Sequence, residues 1–288
     1  MRILLTGRNG QVGWELERAL AALGEVIALD RASCDLSEAT SIRRVTREVA
    51  PAVIVNAAGY TLVDRAEAEP QLANRINGTA AGILAGEARH AGALLVHYST
   101  DYVFDGEKGA PYQEEDAPNP ISVYGCSKLE GERAVQGSGC RYLILRTSWV
   151  YASRGQNFVR TVLRLAREGR ELRIVGDQTG SPTAAHELAN ATAALLLRGA
   201  PADGLYHLSA AGETSWYEFA REILSMTGNR ATRVRRITTE EYPTAARRPR
   251  YSVLSNRKIR RLTGIALPDW RESLAVVCRV LAKNQERP

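Results

Sequence analysis

Short apolar runs alternate with helical periods along the first half of the chain. The run "RILLTG" at 2–7 is followed by Val12, Leu16, Leu20 and Leu23 at helical spacing within 11–24. The alternation continues, with strands predicted at 25–30, 52–59, 94–100 and 141–151 and helices at 37–49, 70–91 and 122–136. Such alternation predicts an α/β fold in which a parallel sheet carries helices on both faces.

The second half has a looser pattern, in which prolines separate the segments. Helices are predicted at 156–168, 185–198, 215–227 and 270–283, and strands at 171–175 and 204–209. Loops are predicted around the prolines, namely Pro182, Pro201, Pro243, Pro249 and Pro268. We expect a smaller lobe here, which the chain enters and leaves more than once.

Three glycines separate the first predicted strand from the first predicted helix. Gly7 permits a tight turn, Gly10 lets the backbone approach a pyrophosphate, and Gly13 lets helix and strand pack closely. This spacing predicts a Rossmann-type, doubly wound parallel sheet. We therefore divide the chain into a dinucleotide-binding domain at 1–150 and a mainly substrate-binding C-terminal lobe at 151–288, with segments that return to the first domain.

The cofactor signals conflict at the end of the second strand. Asp30 stands where an acid accepts the adenosine ribose hydroxyls, which favours NAD. Arg31 follows it and Arg8 lies inside the glycine loop, and either guanidinium could pair with the 2′-phosphate of NADPH. The sequence therefore leaves the cofactor as NADPH or NADH, and we expect both to support the reaction.

The stretch "YGCSK" places Tyr124 and Lys128 one helical turn apart. An ammonium within about 4–6 Å lowers a phenol pKa by roughly 1–3 units, which makes Tyr124 a usable proton donor. Thr100 or Ser99, at the end of the fourth strand, would hydrogen-bond the substrate oxygen where negative charge develops. The alternative is a surface Tyr–Lys pair without chemistry.

The composition of the chain indicates its cellular compartment and the classes of molecule that it binds. The net charge is +6, but the arginines are dispersed without interleaved aromatics, so nucleic acid is disfavoured. No apolar run approaches the roughly 18 residues of a membrane span, and the apolar start is too short for a signal peptide. Four cysteines without a C-x-x-C suit a reducing compartment. We expect a cytoplasmic protein with no membrane partner.

The motifs occur in the order Gly loop, N-A-A-G (56–59), S-T (99–100) and Y-x-x-x-K (124–128). This order resembles the extended short-chain dehydrogenase/reductase superfamily. From residue 1 to 225 the chain is similar to the dTDP-4-dehydrorhamnose reductases, notably in "VIVNAAGYTLVDRAEAEP", "HYSTDYVFDG", "LRTSWVYA" and "DQTGSPT". The resemblance implies reduction, with NADPH or NADH, of the 4-keto group of dTDP-4-dehydro-L-rhamnose, a dTDP-keto-sugar, to dTDP-L-rhamnose.

The resemblance also implies roles for individual residues. Those of the cofactor cleft are Gly10, Gln11 and Val12 at the pyrophosphate, Asp30, Asp35 and Leu36 at the adenosine, and Ala58, Gly59, Tyr60, Thr61 and Tyr98 along the cleft. Thr100 and Asp101 would touch the sugar, and Trp149 would pack on it, although a tryptophan here could be plain core. Side-chain chemistry alone indicates that Lys128 can also hold the nicotinamide ribose hydroxyls. We expect one of Arg247, Arg248 and Arg250 to reach the diphosphate, the alternative being that all three are solvated.

Metal binding is where this chain departs from the pattern. Some members of the family are dimers with an interfacial Mg²⁺ held by acidic residues on the first helix and on the helix after the S-P-T loop. Glu15 matches the first, but the other positions fall on His186 and Asn190, and Mg²⁺ prefers carboxylate and water oxygens. Glu187 lies about 100° around the helix. We consider Mg²⁺ doubtful, predict no metal ligand, and expect a monomer or weak, metal-free homodimer.

Two other functions share these motifs. A nucleotide-sugar epimerase or dehydratase would have the same fold and Tyr–Lys pair, but dehydratases of this kind carry Asp-Glu after the threonine, where this chain has Asp101 and Tyr102. A non-catalytic regulatory subunit of this fold is the second alternative. Intact Thr100, Tyr124 and Lys128 favour an enzyme without excluding that role.

Overall fold

A computed structural model describes residues 1–199 and 203–285 of the chain. Its strands are β1 Arg2–Thr6, β2 Glu25–Leu29, β3 Val53–Asn56, β4 Leu94–Thr100, β5 Arg141–Thr147, β6 Val150–Tyr151, β7 Leu172–Val175, β8 Thr179–Gly180, β9 Thr183–Ala184, β10 Gly204–His207, β11 Thr214–Ser215 and β12 Val234–Ile237. Its helices are α1 Gln11–Leu20, α2 Ala39–Val49, α3 Val63–Ala66, α4 Pro70–Asn74, α5 Ala80–Ala91, α6 Val123–Gln136, α7 Phe158–Arg167, α8 Ala185–Leu197, α9 Trp216–Met226, α10 Arg257–Thr263 and α11 Trp270–Gln285.

Six strands form one parallel sheet in the order β2-β1-β3-β4-β5-β10. The direction of winding reverses between β1 and β3, which opens a crevice at the carboxyl ends of these two strands. Ligands of doubly wound folds bind in such a crevice. The Rossmann-type parallel sheet predicted from the sequence is confirmed.

Alternate side chains of the central strands enter two separate cores, because successive residues of a strand face opposite sides. Ile3 and Leu5 of β1 pack with residues of α1 and α8 on one face. Leu4 packs on the other face, with residues of α2, α5 and α6. Both faces of the sheet are therefore covered, as in other parallel sheets.

The second half supplies both a lobe and parts of the sheet. Helices α7, α9 and α11 enclose a third core around Phe219 and Trp270. Strand β10 joins the edge of the sheet beside β5, and α8 packs against α1. The division into domains at 1–150 and 151–288 stays a prediction, and residues 286–288 and the predicted loop at Pro201 lie outside the described residues.

The region predicted as one helix at 70–91 contains a π-helical turn at Arg75–Thr79, between α4 and α5. The turn brings the backbone close to α6: a side chain on Gly131 would place its Cβ 2.2 Å from the Asn77 carbonyl oxygen. A π turn within an α-helix is frequent at functional sites. Local periodicity could not predict it, because the constraint comes from a different helix.

Several short elements were not predicted from the sequence, among them α3, α10 and β12. Strand β12 pairs in parallel with β7 and carries two consecutive exposed arginines, Arg235 and Arg236, before Ile237. Among residues 1–199 and 203–285, no helix is long and apolar enough to cross a membrane.

Two helical glycines provide a matched test of the glycine-loop packing. A Cβ on Gly13 would lie 2.0 Å from the Gly7 carbonyl oxygen, whereas a Cβ on Gly86 in α5 meets nothing within 4 Å. Gly86→Ala should raise the free energy of unfolding by about 0.5–1 kcal/mol. Gly13→Ala should lower it by about 1–3 kcal/mol through overpacking. Chemical denaturation measures both, and equal effects of the two substitutions would contradict the proposed close contact.

Candidate active site

The glycine loop is a tight turn fixed by β2. Gly7 has a φ of +80°, and the Gly7 and Arg8 amides both donate to the Leu29 carbonyl, at 3.0 and 3.1 Å. The Gly10 amide then donates to the Gly7 carbonyl at 2.9 Å. A left-handed φ favours glycine at position 7, as the sequence predicted.

The turn leaves the amino end of α1 open to an anion. Gly10 caps the helix without a side-chain hydrogen bond, and the first turn contains no acidic residue. The amides of the first turn, at Gln11 and Val12, therefore lack a side-chain cap and can receive a pyrophosphate. This end of α1 fits the dinucleotide that the sequence predicted. The Gln11 side chain itself accepts a hydrogen bond from Asn157 of the second half, at 2.9 Å.

The acidic residues predicted at the adenosine are organised by their own turns. Asp30 accepts from the Ser33 amide and hydroxyl, at 3.0 and 2.9 Å, and these bonds lower the pKa of its carboxyl. Asp35 accepts in the same way from Ser37, which lowers its pKa as well. Both are carboxylates at neutral pH. Leu36 is buried in the core beside α2.

The two arginines that could select NADPH already have carboxylate partners. Arg8 pairs with Glu17 at 3.1 Å, and Arg31 pairs with Asp35 at 3.4 Å. Both pairs are solvent-exposed and so worth little, on the order of 0–1 kcal/mol. The structure therefore keeps both cofactors compatible with this corner of the site.

The loop after β3 lies against the glycine loop. A Cβ on Gly7 would be 2.8 Å from the Ala58 amide nitrogen. Gly59 and Thr61 are exposed, whereas Tyr60 is buried and its phenol donates to Glu69 at 2.6 Å. The Tyr60 hydroxyl is therefore already used within the protein.

Asn77 is a residue of the site region that sequence reasoning missed. It is fully buried in the π-helical turn and bonds both the amide and the carbonyl of Tyr60, at 2.8 and 3.0 Å. It also donates to the Ser127 hydroxyl at 2.9 Å, and that hydroxyl donates to the Tyr124 carbonyl at 2.8 Å. Asn77 therefore connects the β3 loop to α6. Its only local signal is an amide beside a glycine inside an otherwise helical stretch.

Tyr124 lies in the first turn of α6, which Ser122 caps by accepting from the Gly125 amide at 3.1 Å. Burial raises the pKa of Tyr124 to about 12, while a hydrogen bond with the Thr100 hydroxyl acts in the opposite direction. The expectation that Lys128 lowers this pKa is wrong for this arrangement, because burial dominates and the ammonium is bonded elsewhere. Tyr124 therefore stays protonated at neutral pH, which is the form that a proton donor needs.

Lys128 lies one turn further along α6 and is buried. Its Nζ donates to the Tyr98 carbonyl at 2.6 Å, so the side chain is fixed to β4. Burial lowers the pKa of Lys128 to about 8, and the Glu132 carboxylate opposes that shift. The amine is mostly charged at neutral pH. The phenol of Tyr98 points elsewhere, to the Thr192 hydroxyl at 2.6 Å.

Of the two hydroxyls predicted at the end of β4, only Thr100 faces Tyr124. Ser99 is buried on the opposite side of the strand and donates to Glu132 at 2.5 Å. Asp101 accepts from the Thr100 hydroxyl at 3.2 Å, and burial raises the pKa of its carboxyl to about 7. The second carboxyl oxygen of Asp101 is buried and finds no hydrogen-bond partner among residues 1–199 and 203–285.

Trp149 is held in an unusual backbone conformation beside these residues. Its φ is +45°, in the left-handed region, and its ring stacks on Trp216 with centroids 3.5 Å apart. A Cβ on Gly180 would lie 2.4 Å from the Trp149 ring, so the glycine gives the indole its space. Strain of this kind is concentrated at functional sites. No local pattern predicts Trp216, which is distant in the chain, as the partner of Trp149.

The three candidate arginines differ in their surroundings. Arg248 is bidentate to Asp64, at 3.1 and 2.7 Å, and Asp64 also accepts from the Ala246 amide at 3.1 Å. Arg247 and Arg250 are exposed. Arg248 therefore joins the C-terminal loop to α3, and a diphosphate would have to compete with Asp64 for it.

The residues considered for metal binding make contacts of their own. His186 Nε2 lies 3.2 Å from Glu187 Oε1, and burial raises the pKa of Glu15. Within residues 1–199 and 203–285, no group of three or more His, Cys, Asp or Glu side chains could hold a metal ion. Cys126 is an exposed residue whose thiol is partly desolvated, and this desolvation, together with the Glu67 and Glu130 carboxylates, raises the pKa of the thiol. The thiol is therefore not activated as a nucleophile.

Together these groups can protonate an oxygen next to a bound dinucleotide. The uncapped end of α1, the protonated phenol of Tyr124 and the ammonium of Lys128 all lie at the carboxyl ends of β1, β3 and β4. The Thr100 hydroxyl and the Asp101 carboxyl are next to the phenol. This combination suits a carbonyl reduction in which the cofactor gives hydride and the protein gives a proton.

The family model described as the RmlD substrate binding domain matches residues 1–283. The dTDP-4-dehydrorhamnose reductase of Burkholderia thailandensis is 48% identical over 98% of this chain and 99% of that protein. The enzyme of the same description from Escherichia coli K12 is 45% identical over 94% of both chains.

Solved structures agree with this assignment. A dTDP-4-dehydrorhamnose reductase from Clostridium acetobutylicum superposes with a TM-score of 0.93 at 40% identity, covering 98% of this chain and 100% of that one. The reductase from Bacillus anthracis, in complex with NADP, gives 0.91 at 38% identity, covering 96% and 98%. The resemblance found in the sequence is therefore confirmed: the chain belongs to the dTDP-4-dehydrorhamnose reductase family.

Proposed function

We propose that this protein reduces the 4-keto group of dTDP-4-dehydro-L-rhamnose to give dTDP-L-rhamnose, with NADPH or NADH as the reductant. The observation that supports this most directly is the placement of Tyr124, Lys128 and Thr100 at the carboxyl end of β4, beside the uncapped end of α1. The Burkholderia thailandensis and Escherichia coli relatives are both named dTDP-4-dehydrorhamnose reductase. A dehydratase is disfavoured because Thr100 is followed by Asp101 and Tyr102, where dehydratases of this kind carry Asp-Glu.

The nicotinamide supplies hydride to the sugar carbonyl carbon when it is bound. Gln11 and Val12 hold the pyrophosphate through their amides, and Lys128 holds the nicotinamide ribose. As the carbonyl electrons move to oxygen, the phenol of Tyr124 donates its proton to that oxygen. The Thr100 hydroxyl donates a hydrogen bond to the same oxygen while its negative charge develops. The phenolate then regains a proton from solvent.

Substrate recognition falls to residues around this centre. Asp101, with a pKa of about 7, is partly protonated at neutral pH and can donate to or accept from a sugar hydroxyl. Trp149 offers an apolar face to the sugar ring, and one of Arg247, Arg248 and Arg250 reaches the diphosphate. We retain the division into a cofactor domain at 1–150 and a mainly substrate-binding lobe at 151–288 as part of the proposal.

The proposal extends to location and assembly. Cys34, Cys126, Cys140 and Cys278 are free thiols, which supports a cytoplasmic enzyme. The partner is the dTDP-keto-sugar, with neither nucleic acid nor membrane, and the assembly is a monomer or weak homodimer.

Tyr124→Phe tests the mechanism, because it removes the proton donor and keeps the ring. Turnover of the keto-sugar should fall by roughly 10²–10⁴, while the dissociation constant for NADPH stays near that of the wild type. Tyr142→Phe, on β5 and away from the cleft, is the matched control and should leave turnover unchanged. Retention of most of the rate by Tyr124→Phe would show that the proton comes from another group.

Removal of divalent cations tests the absence of a metal. Activity should be insensitive to chelator, because His186 and Asn190 offer nitrogen and amide groups where Mg²⁺ needs carboxylate oxygens. Turnover is measured after exhaustive dialysis against chelator, with and without added Mg²⁺. If chelator abolishes activity and Mg²⁺ alone restores it, the protein binds Mg²⁺ through ligands other than those considered above, and the prediction is wrong.

A further inference from the structure

A buried carboxylate lies directly beneath the candidate active site. Glu132 follows Lys128 by one helical turn on α6, and only 1% of the residue is exposed. It accepts from Arg146 Nε at 2.8 Å, Arg146 Nη2 at 2.6 Å and the Ser99 hydroxyl at 2.5 Å. A carboxylate that accepts three hydrogen bonds in a dry site is held in one position.

Glu132 connects α6 to two adjacent strands. Ser99 lies on β4 immediately before Thr100, and Arg146 lies on β5, whose Thr147 is in register with Thr100. Arg146 extends the network to β10, because its Nη1 is 3.5 Å from His207 Nε2. The His207 amide donates in turn to Glu114 at 2.8 Å. The network thus ends at the sheet edge, opposite the cofactor crevice.

An Arg–Glu pair alone would be complete without Ser99. The additional bond from Ser99 fixes the carboxyl end of β4, and the next residue is the one whose hydroxyl meets the Tyr124 phenol. A shift of β4 relative to α6 would therefore separate Thr100 from Tyr124. Such a displacement of reacting groups, by about 1 Å, can cost on the order of 10²-fold in rate.

Glu132 also acts on Lys128 through its charge. The groups that face the Lys128 ammonium are the Tyr98 carbonyl and the His97 imidazole from β4 and the Glu132 carboxylate from its own helix. Burial lowers the pKa of His97 well below its usual value, so His97 is neutral and adds no charge beside the ammonium. Glu132 is thus the carboxylate that opposes the loss of the Lys128 proton.

We infer that Glu132 is a positioning residue for the reduction: through Ser99 it holds the carboxyl end of β4 against α6 and so aligns Thr100 with Tyr124. The inference rests on the proposed function and goes beyond it, since neither Glu132 nor Ser99 touches the substrate or the cofactor in that proposal. A purely structural carboxylate would stabilise the fold without affecting the position of Thr100 relative to Tyr124.

Glu87 is such a structural carboxylate and makes a matched control. It is 6% exposed and accepts from Arg47 Nε and Nη2 at 2.8 and 2.9 Å, which joins α5 to α2. Glu132→Gln and Glu87→Gln each remove one carboxylate charge from a bidentate Arg pair, although Arg146 is buried and Arg47 is largely exposed. Of these two substitutions, only Glu132→Gln should affect Tyr124, Lys128 and Thr100.

The experiment compares turnover, KM for NADPH and the pH profile of kcat for Glu132→Gln, Ser99→Ala, Glu87→Gln and the wild type. Thermal unfolding of each variant shows that the assay temperature lies below its transition. Ser99→Ala should lower kcat by about 10- to 100-fold with little change in the KM for NADPH. Glu132→Gln should lower kcat and move the alkaline limb of the profile to lower pH, because the Lys128 proton is then lost more readily. Glu87→Gln should change thermal stability only.

Wild-type kcat and pH profile in both Ser99→Ala and Glu132→Gln would overturn the inference, as would an identical profile change in Glu87→Gln. If Glu132→Gln does not fold, Ser99→Ala decides, because it deletes one hydroxyl and keeps the ion pair. Absence of turnover by the wild type with the dTDP-keto-sugar would overturn the proposed function and this inference with it. Wild-type turnover with unaffected variants would overturn the inference alone.

Discussion

The attachment of α6 to the carboxyl end of β4 is the constraint on which the rest of the site depends. Lys128 bonds the Tyr98 carbonyl, and Glu132 bonds Ser99, so two consecutive turns of the helix are fixed to two consecutive residues of the strand. This attachment sets the position of Thr100 relative to Tyr124. It buries three charged groups, namely Lys128, Glu132 and Arg146. Removing one partner of a buried pair such as Arg146–Glu132 typically costs about 3–5 kcal/mol.

The same burial shapes the chemistry of the Tyr–Lys pair. A dry site raises the pKa of Tyr124 to about 12 and lowers that of Lys128 to about 8, and both shifts favour the neutral form. The phenol is therefore a reliable proton donor, whereas the ammonium depends on the neighbouring Glu132 carboxylate and the Tyr98 carbonyl. The simple expectation of a lysine that lowers the phenol pKa omitted the desolvation of both groups.

Local patterns in the sequence predicted what local forces determine. The Gly7, Gly10 and Gly13 spacing, the Ser122–Tyr124 start of α6 and the apolar strands each depend on residues within a few positions of one another. The π-helical turn, the stack of Trp149 on Trp216 and the Ser99–Glu132–Arg146 network depend on partners that lie far apart in the chain. No periodicity reports such pairings, because they follow from the order of strands in the sheet, which the sequence pattern did not determine.

The most direct test of this account is transfer of deuterium from NADPH that carries it at the reactive nicotinamide position. Purified protein is given dTDP-4-dehydro-L-rhamnose, and the product is examined by NMR while cofactor oxidation is followed by absorbance. The account predicts one cofactor oxidised for each sugar reduced, with deuterium at C4 of dTDP-L-rhamnose. Change of configuration in the sugar without net oxidation of the cofactor, or no turnover at all, would contradict it.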